Sequence, residues 1–411
     1  MLTSRGAFIK TTPRLTGMAS HAGSDAQTSS MPPLTREEDG LRLLMGLRAE
    51  LLSGAESRAA PELKDLDASL LALLTSRTRA LTMQRLEWAS TSAALLEKVM
   101  HFERVHPFDG WSDLRRRVDG PGRHLFAFVH PSMPTVPLAF VQCCLLDRVP
   151  SRLADVLPAQ ISSNSAGGTG SSDSSDGCAS GPLVTRVDTT SPRVAVFYSI
   201  SSPLIGLRGL PLGGQLIKRA LMAVAAETRV TLSPVPGFRT WLEAQLVRRE
   251  AGATRALRDG DTSTVLEVSV DDGSCAPSAE DDSIQELVEA LDAAGLSALA
   301  PFEPGGAFEY ASVRAALMSL CARYLCVAKK GRRPLDSVAS FHLGNGATLL
   351  NLHWAANASA RGLRESAGIM VNYEYREPLV DANRAAFVAS GTISVAPSVL
   401  QLVAREKLHR Q

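Results

Sequence analysis

The order of elements written into residues 193 to 227 constrains this 411-residue chain more than any other feature. RVAVFYSIS (193–201) is short, apolar, β-branched and aromatic, the composition of a buried strand. SPLIGLRGLPLGGQLIKRALMAVAAE (202–227) follows directly. Its first part holds Gly206, Gly209, Gly213 and Gly214; its second sets Leu216, Ile217, Ala220, Leu221 and Val224 on one helical face. Strand, glycine-rich turn and helix, in that order, point several main-chain N–H groups at one spot, on the positive end of a helix dipole. Glycine lets an anion approach the backbone closely. Lys218 and Arg219 lie in the first turns of the same helix. The unit reads as a diphosphate cradle, although its spacing matches neither a Walker A loop nor a dinucleotide fingerprint. A helix start that is merely rich in glycine is the alternative.

Composition excludes several classes. The net charge is +1, so no global field attracts nucleic acid or an anionic membrane. Apolar runs are far shorter than the roughly 20 residues a membrane span needs. The six cysteines, Cys143, Cys144, Cys178, Cys275, Cys321 and Cys326, form no CxxC pair, and no His/Cys cluster has zinc spacing. No metal site is expected, and a reducing compartment is. Residues 1–33 carry Arg5, Lys10 and Arg14 with no acid before Asp25, which fits a mitochondrial transit peptide as well as a plain disordered tail. The last residues, LHRQ, are not a peroxisomal address.

Thr35 to Glu38 forms a capping box, and Leu41, Leu44, Met45, Leu47, Leu51 and Leu52 recur behind it at helical spacing. Two further amphipathic stretches, near 61–82 and 84–104, complete an expected antiparallel helical bundle over residues 34–110, suited to packing, oligomerisation or a lid. HLFAFVH (124–130) and VPLAFVQCCLL (136–146) read as strands. Residues 159–191 are Ser-, Gly- and Asp-rich and read as a disordered insertion; residues 257–282 read as an acidic, solvated excursion. Helices are expected from Thr240, over 284–298 and over 311–328, and strand-containing segments over 338–357 and 366–375.

Two residues stand apart. In TLSPVPGF (231–238), Ser233 precedes Pro234 and Pro236, which remove two main-chain donors and stiffen the corner. A turn serine is the plain reading. His342, in FHLGNGA, sits on an apolar segment read as strand, just before a Gly-Asn-Gly turn. A lone histidine there is more often a core residue. A serine and a histidine at two strand ends could also converge as donor and proton carrier. No GxSxG elbow, HExxH motif or paired-carboxylate signature is present, against a serine hydrolase, zinc protease or glycosidase.

FYSIS (197–201), LRGLPLGGQLIKR (207–219), TLSPVPGFRTWL (231–242), LCARYL (320–325), LDSVASFHLGNGA (335–347), LHWAANASARGL (352–363) and SAGIMVNYEY (366–375) together resemble the malonyl-CoA decarboxylase family, as does VHPFDGWSDLRRRV (105–118). The resemblance implies an α+β protein: a helical N-terminal domain, then a GNAT-like (acetyltransferase-like) mixed α/β catalytic domain over 111–411. It implies conversion of malonyl-CoA to acetyl-CoA and carbon dioxide without metal or organic cofactor. Ser233 and His342 take the family's catalytic positions. The CoA-binding turn falls on Arg208, Gly209, Leu210, Pro211, Leu212, Gly213 and Gly214, and a substrate-site tyrosine on Tyr375. Pro211 departs from the pattern, standing where close relatives carry an acid. A homo-oligomer, with a tetramer among its forms, and a mitochondrial-matrix location, with cytoplasm or peroxisome as alternatives, belong to the same expectation. An N-acetyltransferase using acetyl-CoA and a non-catalytic CoA-binding protein are the competing functions.

Overall fold

A computed structural model describes residues 37–54, 60–157, 193–258, 284–285, 287–290 and 311–404. The basic tail 1–33, the insertion 159–191 and nearly all of the acidic excursion 257–282 lie outside the described residues.

The strands are β1 (Thr82–Leu86), β2 (Arg123–Val129), β3 (Ala139–Leu146), β4 (Val194–Ser201), β5 (Thr228–Thr231), β6 (Ser233–Pro234), β7 (Lys329–Lys330), β8 (Arg333–Pro334), β9 (Thr348–His353), β10 (Met370–Glu374) and β11 (Ser394–Val395). The helices are α1 (Glu37–Ser53), α2 (Pro61–Arg77), α3 (Ala93–Phe102), α4 (Gly110–Asp119), α5 (Leu153–Val156), α6 (Leu212–Ala223), α7 (Phe238–Arg258), α8 (Ala311–Cys326), α9 (Ser337–Gly344), α10 (Ala360–Ser366), α11 (Glu377–Ser390) and α12 (Pro397–Ala404). One mixed sheet runs β1-β2-β3-β4-β5-β10-β9-β11, with β6 paired to β10. Its first four strands are antiparallel and β5 lies parallel to β4. The continuous apolar runs noted in β2, β3 and β4 are buried on both faces, as such runs require. α3 and α4 cover one face through Leu95, Val99, Leu114 and Val118. The other face packs on α6, with α7 and α8 extending the same core.

The helical bundle expected over 34–110 does not form as such. Residues 84–104 divide into an edge strand and a helix, and β1 pairs with β2 from Thr82↔Val129 to Leu86↔Leu125. Pairing overrides helical spacing here because the short run can bury Leu86 fully against the sheet. His342 is also relocated, from an expected strand to α9. Asp336 begins that helix, its carboxylate accepting from Val338 N at 3.0 Å and Ala339 N at 2.9 Å. A short apolar run such as VASF fits strand or helix by pattern alone, and the cap decides.

Two irregularities place the site. β4 and β5 pair only from Val194↔Thr228 to Phe197↔Thr231. Beyond that point β4 runs on to Ser201, while the segment leaving β5 stays paired with β10, Val230 with Glu374 and then Ser233 with Val371. A rift opens between them. β4 also carries a bulge there: Cys143 faces Phe197 and Gln142 faces Ser199, leaving Tyr198 as the extra residue. An extra residue resets the side-chain alternation, so Tyr198 and Ser199 both turn toward the α3 and α4 side.

Candidate active site

Ser233 sits at the edge of the rift and is 5% exposed. Its hydroxyl is 2.9 Å from Thr231 Oγ1 and 3.2 Å from Nε2 of His342. Pro234 and Pro236 hold the corner rigid, and Gly237 leads it into α7. The structure therefore brings together two residues 109 positions apart.

Tyr375 joins them. Its hydroxyl lies 2.8 Å from His342 Nδ1, so both ring nitrogens are engaged. Tyr373, two residues earlier, stacks on the imidazole with centroids 4.7 Å apart and planes at 22°. Burial among these rings penalises the imidazolium and lowers the His342 pKa to about 3. Burial also drives the Tyr375 phenol well above its ordinary range. The row Ser233–His342–Tyr375 is therefore neutral near pH 7.

The row borders a cavity of about 250 Å³ whose wall includes Val105, Ser199 and Phe341. A second cleft, about 360 Å³, adjoins it and shares Ser202, Gly213 and Phe341. That cleft is lined by Arg208, Gly209, Leu210, Pro211, Gly213 and Gly214. Leu212 differs: its side chain is 2% exposed and belongs to the core. Pro211 occupies the N-cap of α6 and makes no side-chain cap, leaving the first-turn N–H groups without that partner. Past Gly214 a third cavity continues between α6 and α11, with Lys218, Arg384 and Tyr375 on its walls.

The glycines answer to packing as well as to any anion. A Cβ on Gly214 would stand 2.5 Å from Asn345 Oδ1, one turn beyond His342, so this glycine lets α6 lie against the histidine helix. A Cβ on Gly206 would stand 2.1 Å from Met45 O in α1. Beside that contact lies a residue the sequence reading passed over. Arg48, 3% exposed, donates to Gly206 O at 2.8 Å and Arg208 O at 2.5 Å, and pairs with Asp67 at 2.8 Å. The N-terminal helices thus brace the glycine-rich turn. A buried arginine with main-chain partners leaves no sequence signature, because its partners lie some 160 residues away.

Among the described residues no group of three His, Cys, Asp or Glu could hold a metal ion. Cys143, Cys144, Cys321 and Cys326 are free thiols whose pKa values burial raises, which disfavours a thiolate. No described helix is long and apolar enough to cross a membrane.

Comparison with known proteins bears on this geometry. A family model described as the malonyl-CoA decarboxylase C-terminal domain matches residues 80–411. The mitochondrial malonyl-CoA decarboxylase of Anser anser anser is 30% identical over 388 residues, spanning 90% of this chain and 68% of the relative. That of Rattus norvegicus is 30% identical over 383 residues, with 90% and 70% covered. Two solved bacterial malonyl-CoA decarboxylases superpose on the fold. The Agrobacterium vitis protein gives a TM-score of 0.65 at 31% identity over 89% of this chain and 76% of its own. The Rhodopseudomonas palustris protein gives 0.62 at 32% identity, covering 88% and 75%. On sequence and structure alike, the chain belongs to the malonyl-CoA decarboxylase family.

Proposed function

We propose that this chain is a malonyl-CoA decarboxylase, releasing carbon dioxide from malonyl-CoA to leave acetyl-CoA. The observation that carries the site assignment is the hydrogen-bonded row Ser233–His342–Tyr375 on a cavity continuous with the glycine-rich turn. The parted parallel pair β4/β5 supports the finer reading of a GNAT-like fold, with the thioester arm laid in the rift and the CoA diphosphate at the start of α6.

The chemistry needs three things. The C–C bond to the carboxylate breaks, and its electron pair moves into the thioester as an enolate. Hydrogen-bond donors must meet the oxyanion. The enolate carbon must then receive one proton. The thioester is its own electron sink, so the proposed reaction needs no metal or organic cofactor.

The depressed pKa of His342 says where the proton comes from. An unpaired malonyl carboxylate entering this buried cavity is costly. Placed beside Nε2, it favours the imidazolium and reverses the effect of burial. His342 then takes up a proton as the substrate binds, pairs with the carboxylate, and delivers that proton to the carbon once carbon dioxide has left. Tyr375, kept as a phenol, accepts from Nδ1–H of the imidazolium. The Ser233 hydroxyl, which donates to Thr231 Oγ1 at 2.9 Å, turns on binding to donate to the carboxylate or the enolate oxygen.

Turnover of malonyl-CoA by purified protein with a chelator present tests the reading, with acetyl-CoA and carbon dioxide expected in equal amounts. Binding of CoA without either product would transfer the weight to an acetyltransferase or a binding protein. Arg48→Met offers a second check. It removes two charge-assisted bonds to the turn, worth about 1.5–3 kcal/mol each where buried. KM for malonyl-CoA should rise about tenfold while kcat stays within about threefold; a loss confined to kcat would place Arg48 elsewhere in the mechanism. A homo-oligomer and a mitochondrial address for residues 1–33 belong to the same reading, read by light scattering and a reporter fusion. The animal relatives are named as mitochondrial.

A further inference from the structure

Glu103 is 2% exposed and has no basic partner within salt-bridge distance in the described structure. Its carboxylate instead collects four donors. Oε1 accepts from Val105 N at 2.7 Å and His106 N at 3.0 Å. Oε2 accepts from Gln142 Nε2 and from the Ser199 hydroxyl, both at 2.6 Å. The bulge in β4 turns Ser199 to this side of the sheet. Val105 and Ser199 line the same cavity as Ser233 and His342.

The consequence is one of polarity. A serine hydroxyl has one proton and two lone pairs. Ser199 spends its proton on Glu103, so only lone pairs remain for the cavity. Behind that wall stands an acid group held in a dry environment, where charge acts over several ångströms with little screening. At Ser199 a carboxylate ligand meets lone pairs, with a like charge behind them. The same cavity offers the ring of His342, whose Nε2 lies 3.2 Å from the Ser233 hydroxyl.

We infer that Glu103, acting through Ser199, is a positioning residue that makes the Ser199 position of the cavity acceptor-only and so directs the substrate carboxylate to Ser233 and His342. This rests on the decarboxylase reading for the identity of the acyl group. Without it, a malonyl group could bind turned around, its carboxylate on Ser199 and away from the acid that must replace it.

Non-reacting thioethers separate the two ideas. S-(2-carboxyethyl)-CoA has the carboxylate of malonyl-CoA but no thioester to decarboxylate, and S-ethyl-CoA lacks the charge. Calorimetry on Glu103→Gln should show the carboxyethyl compound binding at least about fivefold more tightly, as a like charge is removed and Ser199 is freed to donate, with S-ethyl-CoA within about twofold. Ser199→Ala bares the Glu103 carboxylate to the cavity and should weaken the carboxyethyl compound about fivefold, again sparing S-ethyl-CoA. In turnover, kcat and KM of Glu103→Gln should fall by similar factors and leave kcat/KM nearly unchanged, the signature of non-productive binding. A purely structural role would lower kcat/KM. The proposal is overturned if both thioethers shift together, if neither shifts, or if kcat/KM of folded Glu103→Gln drops by more than about tenfold. Should Glu103→Gln fail to fold, the Ser199→Ala pair of affinities decides. Wild-type protein that binds the thioethers in this pattern but does not turn over malonyl-CoA would sink the decarboxylase reading and leave the polarity of the wall standing.

Discussion

Replacing His342 by asparagine should lower kcat for malonyl-CoA by about 10²–10⁴-fold, the range over which a positioned proton donor acts. Asparagine places an amide group where Nδ1 lies, so the contact with Tyr375 is kept while the one from Nε2 to Ser233 is lost, and the fold should hold. What it cannot do is carry a proton. The mechanism adds a second readout. Wild-type protein near pH 7 should take up close to one proton when a carboxylate-bearing CoA ligand binds, because burial lowers the His342 pKa to about 3 and the ligand raises it again. Calorimetry in buffers of different ionisation enthalpy measures that uptake. It should vanish in His342→Asn and be absent for acetyl-CoA in either protein. Loss of turnover with proton uptake intact would assign the proton to another group. Retention of near-full turnover would remove His342 from the mechanism.

The part of this site carried by local chemistry is legible in the sequence. Prolines on either side of a serine define a corner whatever surrounds it, and SPVPGF marked Ser233 on that ground. The strand–turn–helix order over 193–227 also needed only local patterning, and β4 and α6 fall within it. Three things were not legible, for one physical reason. The strand identity of 82–86 depends on pairing with β2 some 40 residues on. The pKa of His342 depends on Tyr373 and Tyr375 arriving from β10 and its end. Arg48 and Glu103 act on main-chain and side-chain groups from 39 to 160 positions away in their longest contacts. Tertiary contacts decide each of these, and no local window contains them. The glycines at 206 and 214 show the reverse hazard. Glycine there suits the approach of an anion, and the atoms that crowd Gly206 and Gly214 are also Met45 O and Asn345 Oδ1. A glycine reports a close approach without saying what approaches.

The buried neutral histidines also make the protein acid-sensitive, and the sign follows from their direction of shift. His342 and His106 are both buried, and burial lowers their pKa values to about 3 and about 4 from an ordinary 6.5. The Arg117 guanidinium beside His106 adds to the effect. An unfolded chain protonates these rings as pH falls through about 6.5, while the folded chain does not, so the unfolded state binds more protons and gains stability. Their contribution is complete above pH 6.5 and is lost progressively toward pH 4. Two such groups give a slope of about 3 kcal/mol per pH unit around pH 5, at about 1.4 kcal/mol for each. His124, also lowered to about 4 but less buried, adds a smaller share. Asp336 opposes them over part of the range, since burial raises its pKa and the folded state binds its proton first. Against a typical total of about 5–15 kcal/mol, a fall from pH 6.5 to 4.5 should remove a large fraction of the stability. Urea unfolding at stepped pH measures the slope. His106→Phe keeps a ring against Tyr198 and deletes one titration, so it should cut the slope by nearly half whatever its effect at pH 7. A flat profile between pH 6.5 and 4.5 would mean that water reaches these rings, and the neutral resting state of the Ser233–His342–Tyr375 row would fall with it.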